Sequence, residues 1–189
     1  MTSSKVDAAS RWLKSQTSTP GKHASLSPSS AHRWVKCPGS VALSKRVKRK
    51  SAGDAAAKGT FLHAVSEYCL RQVIDGVDET LQPVELLGCT DGTFVLDTDG
   101  LAYVAKYVNL VLDTWGGVGD IALEVSLDLY PVTGEKARGT ADCIIYNGGT
   151  LHVIDLKTGR VPVSSEDNMQ LQIYAAAAYF AFIKGELFK

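Results

Sequence analysis

The segment 139–159, GTADCIIYNGGTLHVIDLKTG, constrains this chain more than any other. Two runs rich in Ile, Val and Leu flank Gly148-Gly149, and glycine tolerates the positive φ angles that a two-residue hairpin turn demands. Such a turn sets the register. Asn147 then opposes Thr150, Tyr146 opposes Leu151, Ile144 opposes Val153, Asp142 opposes Asp155, and Thr140 falls opposite Lys157. Direct cross-strand partners have Cβ atoms about 5 Å apart, and residues i and i+2 share a face. Asp142, Asp155 and Lys157 therefore stand together. A turn at Asn147-Gly148 would shift the pairing by two and still keep both acids on one face.

Two carboxylates set against each other destabilise a sheet. One lysine relieves part of that cost. A divalent cation relieves more, and hard oxygen donors suit Mg²⁺ or Mn²⁺. The plainer alternative, a structural Asp–Lys ion pair at a sheet edge, leaves Asp142 unexplained. A cation between two carboxylates can bind a phosphate oxygen and acidify a water. A neighbouring ammonium can orient that water and stabilise developing negative charge. The pattern points to metal-assisted phosphodiester hydrolysis.

Charge excludes little, because 20 Lys and Arg residues balance 20 Asp and Glu. Only local clusters speak, and the clearest is KRVKRK, 45–50: Lys45, Arg46, Lys48, Arg49 and Lys50 are either a solvated surface or phosphate contacts. The 189 residues suffice for one domain with a core. No apolar run is long enough to span a bilayer, and the N-terminus lacks the apolar stretch of a secretory signal. No membrane partner and a cytoplasmic location are expected. Cys37, Cys69, Cys89 and Cys143 form no CxxC pair, so no zinc site is signalled and reduced, mostly buried thiols are expected.

Residues 1–24, rich in Ser, Thr and Lys, read as a flexible N-terminal leader, and 25–189 as one domain. Ser27 and Pro28 open a helix that Cys37-Pro38-Gly39 ends. A longer helix is expected over 55–74, with His63 and Glu67 one turn apart. A turn-rich stretch with short strands near GTFVLD precedes a second helix at 100–115. IALEVSLDLY alternates, with Leu123, Val125, Leu127 and Leu129 on one face and Glu124, Ser126 and Asp128 on the other. Strands are expected at 121–129, 138–146 and 150–157. The last helix starts near Glu166, with Ser164 and Asp167 as a capping box. This order predicts an α/β fold with a central mixed β-sheet flanked by α-helices.

Asp142 followed by Asp155-Leu156-Lys157 resembles the signature of the PD-(D/E)XK nucleases. His63 in GTFLHAVSEY resembles the helical metal-binding histidine of the RecB-type exonuclease branch. Gln170 and Tyr174 match that branch's Q-x-x-x-Y motif, and SPSSAHRWVKCPGS resembles the N-terminal segment of its phage and prophage members, relatives of the CRISPR adaptation exonucleases. The resemblance spans about residues 25 to 180. It implies a restriction-endonuclease-like fold and a Mg²⁺- or Mn²⁺-dependent exonuclease acting at DNA ends. The setting would be phage or prophage recombination or replication in a bacterial host, beside a recombination or single-strand-binding protein. A site-specific or structure-specific endonuclease, or a DNA-binding module without turnover, stands as the alternative.

By the same resemblance His63, Asp142, Asp155 and the Leu156 carbonyl surround the metal, and Lys157 positions the attacking water. Gln170 and Tyr174 contact phosphate or orient the lysine, although Tyr174 also reads as core. Glu124 either reaches the metal, or a second one, or faces solvent. Arg138, two residues from Thr140, is a candidate phosphate ligand. Some relatives carry an iron–sulfur cluster on an early Cys-Pro and three late cysteines. Cys37-Pro38 matches the first, but no cysteine follows Cys143, so that layout is not expected. Relatives also continue past the Q-x-x-x-Y helix with another strand, whereas this sequence stops at Lys189, as a fragment or a minimal version would.

Overall fold

A computed structural model describes residues 2–16, 25–47, 53–159 and 163–188. Among them are seven helices and three strands. They are α1 (Thr2–Ser15), α2 (Ala31–Trp34), α3 (Gly39–Arg46), α4 (Asp54–Ile74), α5 (Thr98–Trp115), β1 (Asp120–Asp128), α6 (Tyr130–Thr133), β2 (Arg138–Asn147), β3 (Thr150–Ile154) and α7 (Met169–Ile183). Short 3₁₀ turns cover Pro28–Ser30 and Pro83–Leu86. None of the described helices is long and apolar enough to cross a membrane. The chain divides into two compact units, one of Met1–Pro20, Ala52–Gly117 and Leu156–Val161, the other of Gly21–Ser51, Val118–Asp155 and Pro162–Lys189.

The first unit is helical. Val104, Tyr107, Val108 and Val111 make a buried stripe at helical spacing on α5, and Phe61, Leu62, Val65 and Cys69 do the same on α4. Asp97 caps α5, accepting from the Gly100 N–H at 2.7 Å, and Gly116 ends it with a left-handed φ of 61°. The helix α1 replaces the flexible leader expected over residues 1–24, of which 17–24 lie outside the described residues. Its Ala9 and Leu13, one turn apart, are buried, and the Trp12 ring lies 5.5 Å from that of Tyr68. Lys5 Nζ reaches Asp78 at 2.8 Å and Glu85 at 2.9 Å. A Ser- and Lys-rich composition hid a short amphipathic stripe. Near GTFVLD, where short strands were expected, there is one bridge, Thr90 to Val95, closing a turn in which Asp91 Oδ1 accepts the N–H groups of Thr93 and Phe94.

The second unit holds the sheet, ordered β1-β2-β3. The α/β class stands, with every described strand pair antiparallel rather than mixed. The hairpin has the expected register: Asn147 opposes Thr150, Tyr146 Leu151, Ile144 Val153 and Cys143 Ile154. Gly148 and Gly149 take φ of 57° and 79°, which a side chain would resist. β3 stops at Ile154 instead of running to 157. Asp155-Leu156-Lys157 leaves the ladder as an irregular segment.

Helix α7 lays Ile173, Tyr174, Ala177 and Ala178 on this sheet, against Leu127, Leu129, Ala141 and Ile144. Its cap is Asn168, whose Oδ1 accepts from Gln170 N at 3.0 Å and Leu171 N at 3.2 Å. The expected Ser164–Asp167 box does not form, because Ser164 Oγ is taken by the Glu166 N–H at 3.0 Å and α7 starts only at Met169. The Ser27-Pro28 start makes a 3₁₀ turn before the one-turn α2. Ser27 bonds Ser30 Oγ at 2.7 Å instead of capping the backbone, and its carbonyl accepts from Trp34 Nε1 at 2.9 Å.

The sheet contains one break in its alternation. The core under α7 takes Ala141 and Ile144 from the same strand, an odd number of residues apart. A regular pleat sends such residues to opposite faces. The switch coincides with Glu124 on β1, whose φ is 51° and which is skipped by the ladder between Leu123–Cys143 and Val125–Ala141. The clean alternation expected along LEVSLDL is therefore interrupted at its glutamate. All four cysteines are free thiols. Cys37 is exposed, and burial pushes Cys69 and Cys143 up to about 12 and Cys89 up to about 11.

Candidate functional site

The carboxylates gather where the sheet is irregular. Asp142 continues the register to face Glu124 on one side, between the pairs Leu123–Cys143 and Val125–Ala141. On the other side the ladder ends at the pair Cys143–Ile154, and Asp155 follows one step past it, in the irregular segment. A carboxylate oxygen of Glu124 and one of Asp142 lie within 4.8 Å of each other. For Glu124, reaching the metal or a second one and facing solvent were the alternatives from sequence. Its left-handed backbone directs it to Asp142. A non-glycine residue in that conformation is uncommon and costs about 1–2 kcal/mol, so the surrounding sheet must hold it there.

Helix α7 brings the Q-x-x-x-Y pair to the same carboxylates. Gln170 Nε2 donates to Asp155 Oδ1 at 2.8 Å. That bond gives Gln170 a partner which sequence did not supply: it holds an acid, where phosphate or lysine had been expected. Tyr174 is buried, 6% exposed. Burial, then the negative charges of Asp155, Asp142 and Glu124, hold its hydroxyl above the usual tyrosine range. It therefore keeps its proton and can donate one. The reading of Tyr174 as core is also correct. Its ring is wedged against Gly139, where an added Cβ would come within 3.0 Å of the ring and 3.2 Å of Leu129. The glycine of GTAD is what admits the tyrosine.

His63, Leu156 and Lys157 belong to the helical unit. His63 is half-buried in the middle of α4, and Glu67, one turn on, is engaged by Arg71 at 2.8 Å. Leu156 is buried and Lys157 exposed. The residue after the lysine, Thr158, lies against α4 at Gly59, where a Cβ would sit 2.9 Å from its Oγ1. Gly59 and His63 are separated by four residues, so Thr158 meets α4 one turn before the histidine. The glycines of the GTFLH and GTAD motifs thus do similar work, each vacating volume for one motif residue's neighbour.

The cationic candidates lie elsewhere. Arg138 pairs with Asp128 across the strands but turns to Ser126, donating to its Oγ at 2.8 Å and its carbonyl at 2.6 Å. Lys45 and Arg46 are exposed in the last turn of α3. Lys48, Arg49 and Lys50 lie outside the described residues.

Glu124 and Asp142 bring carboxylate oxygens together in the sheet, and Asp155, braced by an amide just beyond it, shares with them the field felt by a protonated phenol. These hard donors match Mg²⁺ or Mn²⁺ rather than a soft metal. No solved structure matches the chain. One family model does, over residues 23–184, a span that takes in α2 to α7 and every one of these side chains; it is described as a protein of unknown function, DUF2800. The chain belongs to the DUF2800 family.

Proposed function

We propose that the chain is a Mg²⁺- or Mn²⁺-dependent deoxyribonuclease of the PD-(D/E)XK type, an exonuclease hydrolysing phosphodiester bonds at DNA ends. The observation that carries this reading is the approach of the Glu124 and Asp142 carboxylates to within 4.8 Å of each other, with Asp155 acting with both of them on the Tyr174 hydroxyl. Like charges so arranged oppose folding, and a cation is the agent that turns the arrangement into an asset. The donor set fits such an ion: Asp142 and Asp155 would hold it, with the Leu156 carbonyl and His63 as further ligands by resemblance and Glu124 as an additional carboxylate. When bound, the cation would polarise a phosphate oxygen and lower the pKa of a water.

The side chains have separable tasks. Gln170 keeps Asp155 in one rotamer through an amide-to-carboxylate bond, which is stronger than a neutral one. Tyr174, held protonated, supplies a donor beside the carboxylates. Lys157 would orient the attacking water and offset the negative charge that develops on phosphorus-bound oxygen. Arg138 is already braced on Ser126, and a guanidinium so fixed loses little freedom on meeting a phosphate.

The test is incubation of linear and covalently closed circular DNA with the protein in millimolar Mn²⁺. Degradation of the linear form alone supports the exonuclease. Degradation of both indicates an endonuclease, and degradation of neither sinks the enzymatic reading. Mn²⁺ should also raise the melting temperature by mass action, and Asp142→Asn should lose most of that rise.

A further inference from the structure

We infer that the segment 25–47 is a platform for a nucleic-acid backbone, presenting His32, Arg33, Lys36, Lys45 and Arg46 to DNA phosphates. The inference extends the nuclease reading from the site of hydrolysis to the path of the strand, and in that respect it rests on it. Charge is distributed unevenly in this neutral chain. Residues 25–50 carry seven of its 20 Lys and Arg residues (Arg33, Lys36, Lys45, Arg46, Lys48, Arg49 and Lys50) and none of its 20 acids. The last three lie outside the described residues, and the inference does not need them.

The five named side chains are all exposed. Among the described residues none of them is paired with a carboxylate within salt-bridge distance. The acid closest in influence is Glu135, which feels Lys45. Both its oxygens are already taken by backbone, Oε1 by the Ser25 N–H at 2.9 Å and Oε2 by the Leu26 N–H at 2.6 Å. Those bonds hold the start of the segment in place, so Glu135 acts as an anchor more than as a counter-charge.

The backbone beneath His32, Arg33 and Lys36 is fixed. Ala31 is fully buried in the core under α7, Trp34 packs on the same core, and Trp34 Nε1 bonds the Ser27 carbonyl at 2.9 Å. His32, Arg33 and Lys36 follow at a spacing that keeps them to one side of a helical turn. Cations on a fixed platform, without local carboxylates, hold a positive potential that a flexible or neutralised cluster would not. A solvated surface would have no need to exclude acids over 26 residues. The same potential would attract any polyanion, but the platform belongs to the unit that carries Glu124, Asp142 and Asp155. A DNA strand bound there engages the domain that also holds the carboxylates.

The experiment measures binding of the full chain to a labelled DNA oligonucleotide by fluorescence anisotropy. The oligonucleotide is a duplex, and the titration is done in EDTA, so that hydrolysis cannot intervene, across a range of salt. Arg33→Gln with Lys36→Gln removes two phosphate contacts. The slope of log K against log salt should become shallower by about 1.8, and affinity at 50 mM salt should fall roughly a hundredfold while converging with wild type near 1 M. Arg33→Lys with Lys36→Arg, which keeps the charge, should restore the slope, a result that a packing defect would not give. Melting of each variant shows whether it is folded. An unchanged slope in folded Gln variants overturns the platform, even if Mn²⁺-dependent hydrolysis by the wild type stands. A shallower slope in a protein that never hydrolyses DNA upholds the platform and rejects the nuclease.

Discussion

The two ends of the β2–β3 hairpin are built on opposite rules. At the turn end, Ile144 faces Val153, Tyr146 faces Leu151, the Tyr146 ring lies 4.8 Å from that of Phe182, and the glycine turn closes the register. Every pairing there lowers the free energy of the folded sheet. At the open end, Asp142 meets the carboxylate of Glu124, β1 adopts a left-handed residue, the pleat changes face, and β3 leaves the ladder at Ile154, just before Asp155. Two positions along β2, from Ile144 to Asp142, separate pairings that stabilise the sheet from a pairing of like charges. Local rules broken together, in one place, mark where a chain has a task other than folding.

Substitutions at the two ends should therefore fail differently. Asp142→Asn is expected to lower DNA hydrolysis by at least about 10²–10³-fold, the loss usual when one charge-stabilising group is removed from an active site. It should not lower the melting temperature in EDTA, since it removes one of the opposed charges. Ile144→Ala, which truncates the fully buried residue of the turn end, should cost about 2–5 kcal/mol of stability. The molecules that remain folded should keep their specific activity. Paired melting and nuclease assays decide the matter. A large stability loss in Asp142→Asn would mean that the carboxylate is structural and would erase the contrast.

Helix α7 links the two kinds of residue, and its contribution can be divided. Gln170→Ala deletes a bond to a charged partner, worth roughly 1.5–3 kcal/mol. Expressed in the transition state, that is about a ten- to hundredfold loss of rate, with melting little changed. Gly139→Ala should do the reverse at first. Its Cβ would press within 3.0 Å of the Tyr174 ring and 3.2 Å of Leu129, an overpacking that typically costs about 1–3 kcal/mol. Loss of activity in Gly139→Ala beyond the unfolded fraction would show that the tyrosine's position matters to the chemistry as well as to the core.

The turn end was legible in the sequence because each of its signals is local and points the same way. Gly148-Gly149 and the β-branched runs that set Ile144 against Val153 and Tyr146 against Leu151 required no knowledge of distant residues. The open end was legible in its residue types and not in its backbone. L-E-V reads as unbroken alternation, and nothing in it announces that Glu124 turns left-handed, because the residue it meets, Asp142, comes from another strand. The bond from Gln170 to Asp155 was hidden for the same reason. It joins residues 15 apart that only the packing of α7 brings together. The helix α1 was missed because Ala9 and Leu13 are a short apolar signal amid Ser, Thr and Lys, and what orders the helix is contact with Tyr68, Asp78 and Glu85. Asn168 was overlooked as a cap because Ser164 and Asp167 also had suitable chemistry, and only the backbone path chose among them.

The smallest expected effect tests the strained residue itself. Glu124 takes φ of 51°, a region that costs an L-residue about 1–2 kcal/mol and glycine little. If its carboxylate is what the conformation exists to present, the backbone remains left-handed when the side chain is cut back. Glu124→Ala then keeps the strain and loses the charge, whereas Glu124→Gly loses both. Melting in EDTA should rank glycine above alanine by about 1 kcal/mol, reversing the order expected in an ordinary strand, where glycine is the worse residue. Both variants should bind Mn²⁺ more weakly than wild type, seen as a smaller rise in melting temperature. If alanine proves the more stable, the backbone relaxes to the extended form once the carboxylate is gone. The distortion would then be a consequence of the side chain's contacts and not a feature imposed by the sheet. Either ranking identifies which of the two, backbone or carboxylate, holds the open end of the hairpin in its irregular form.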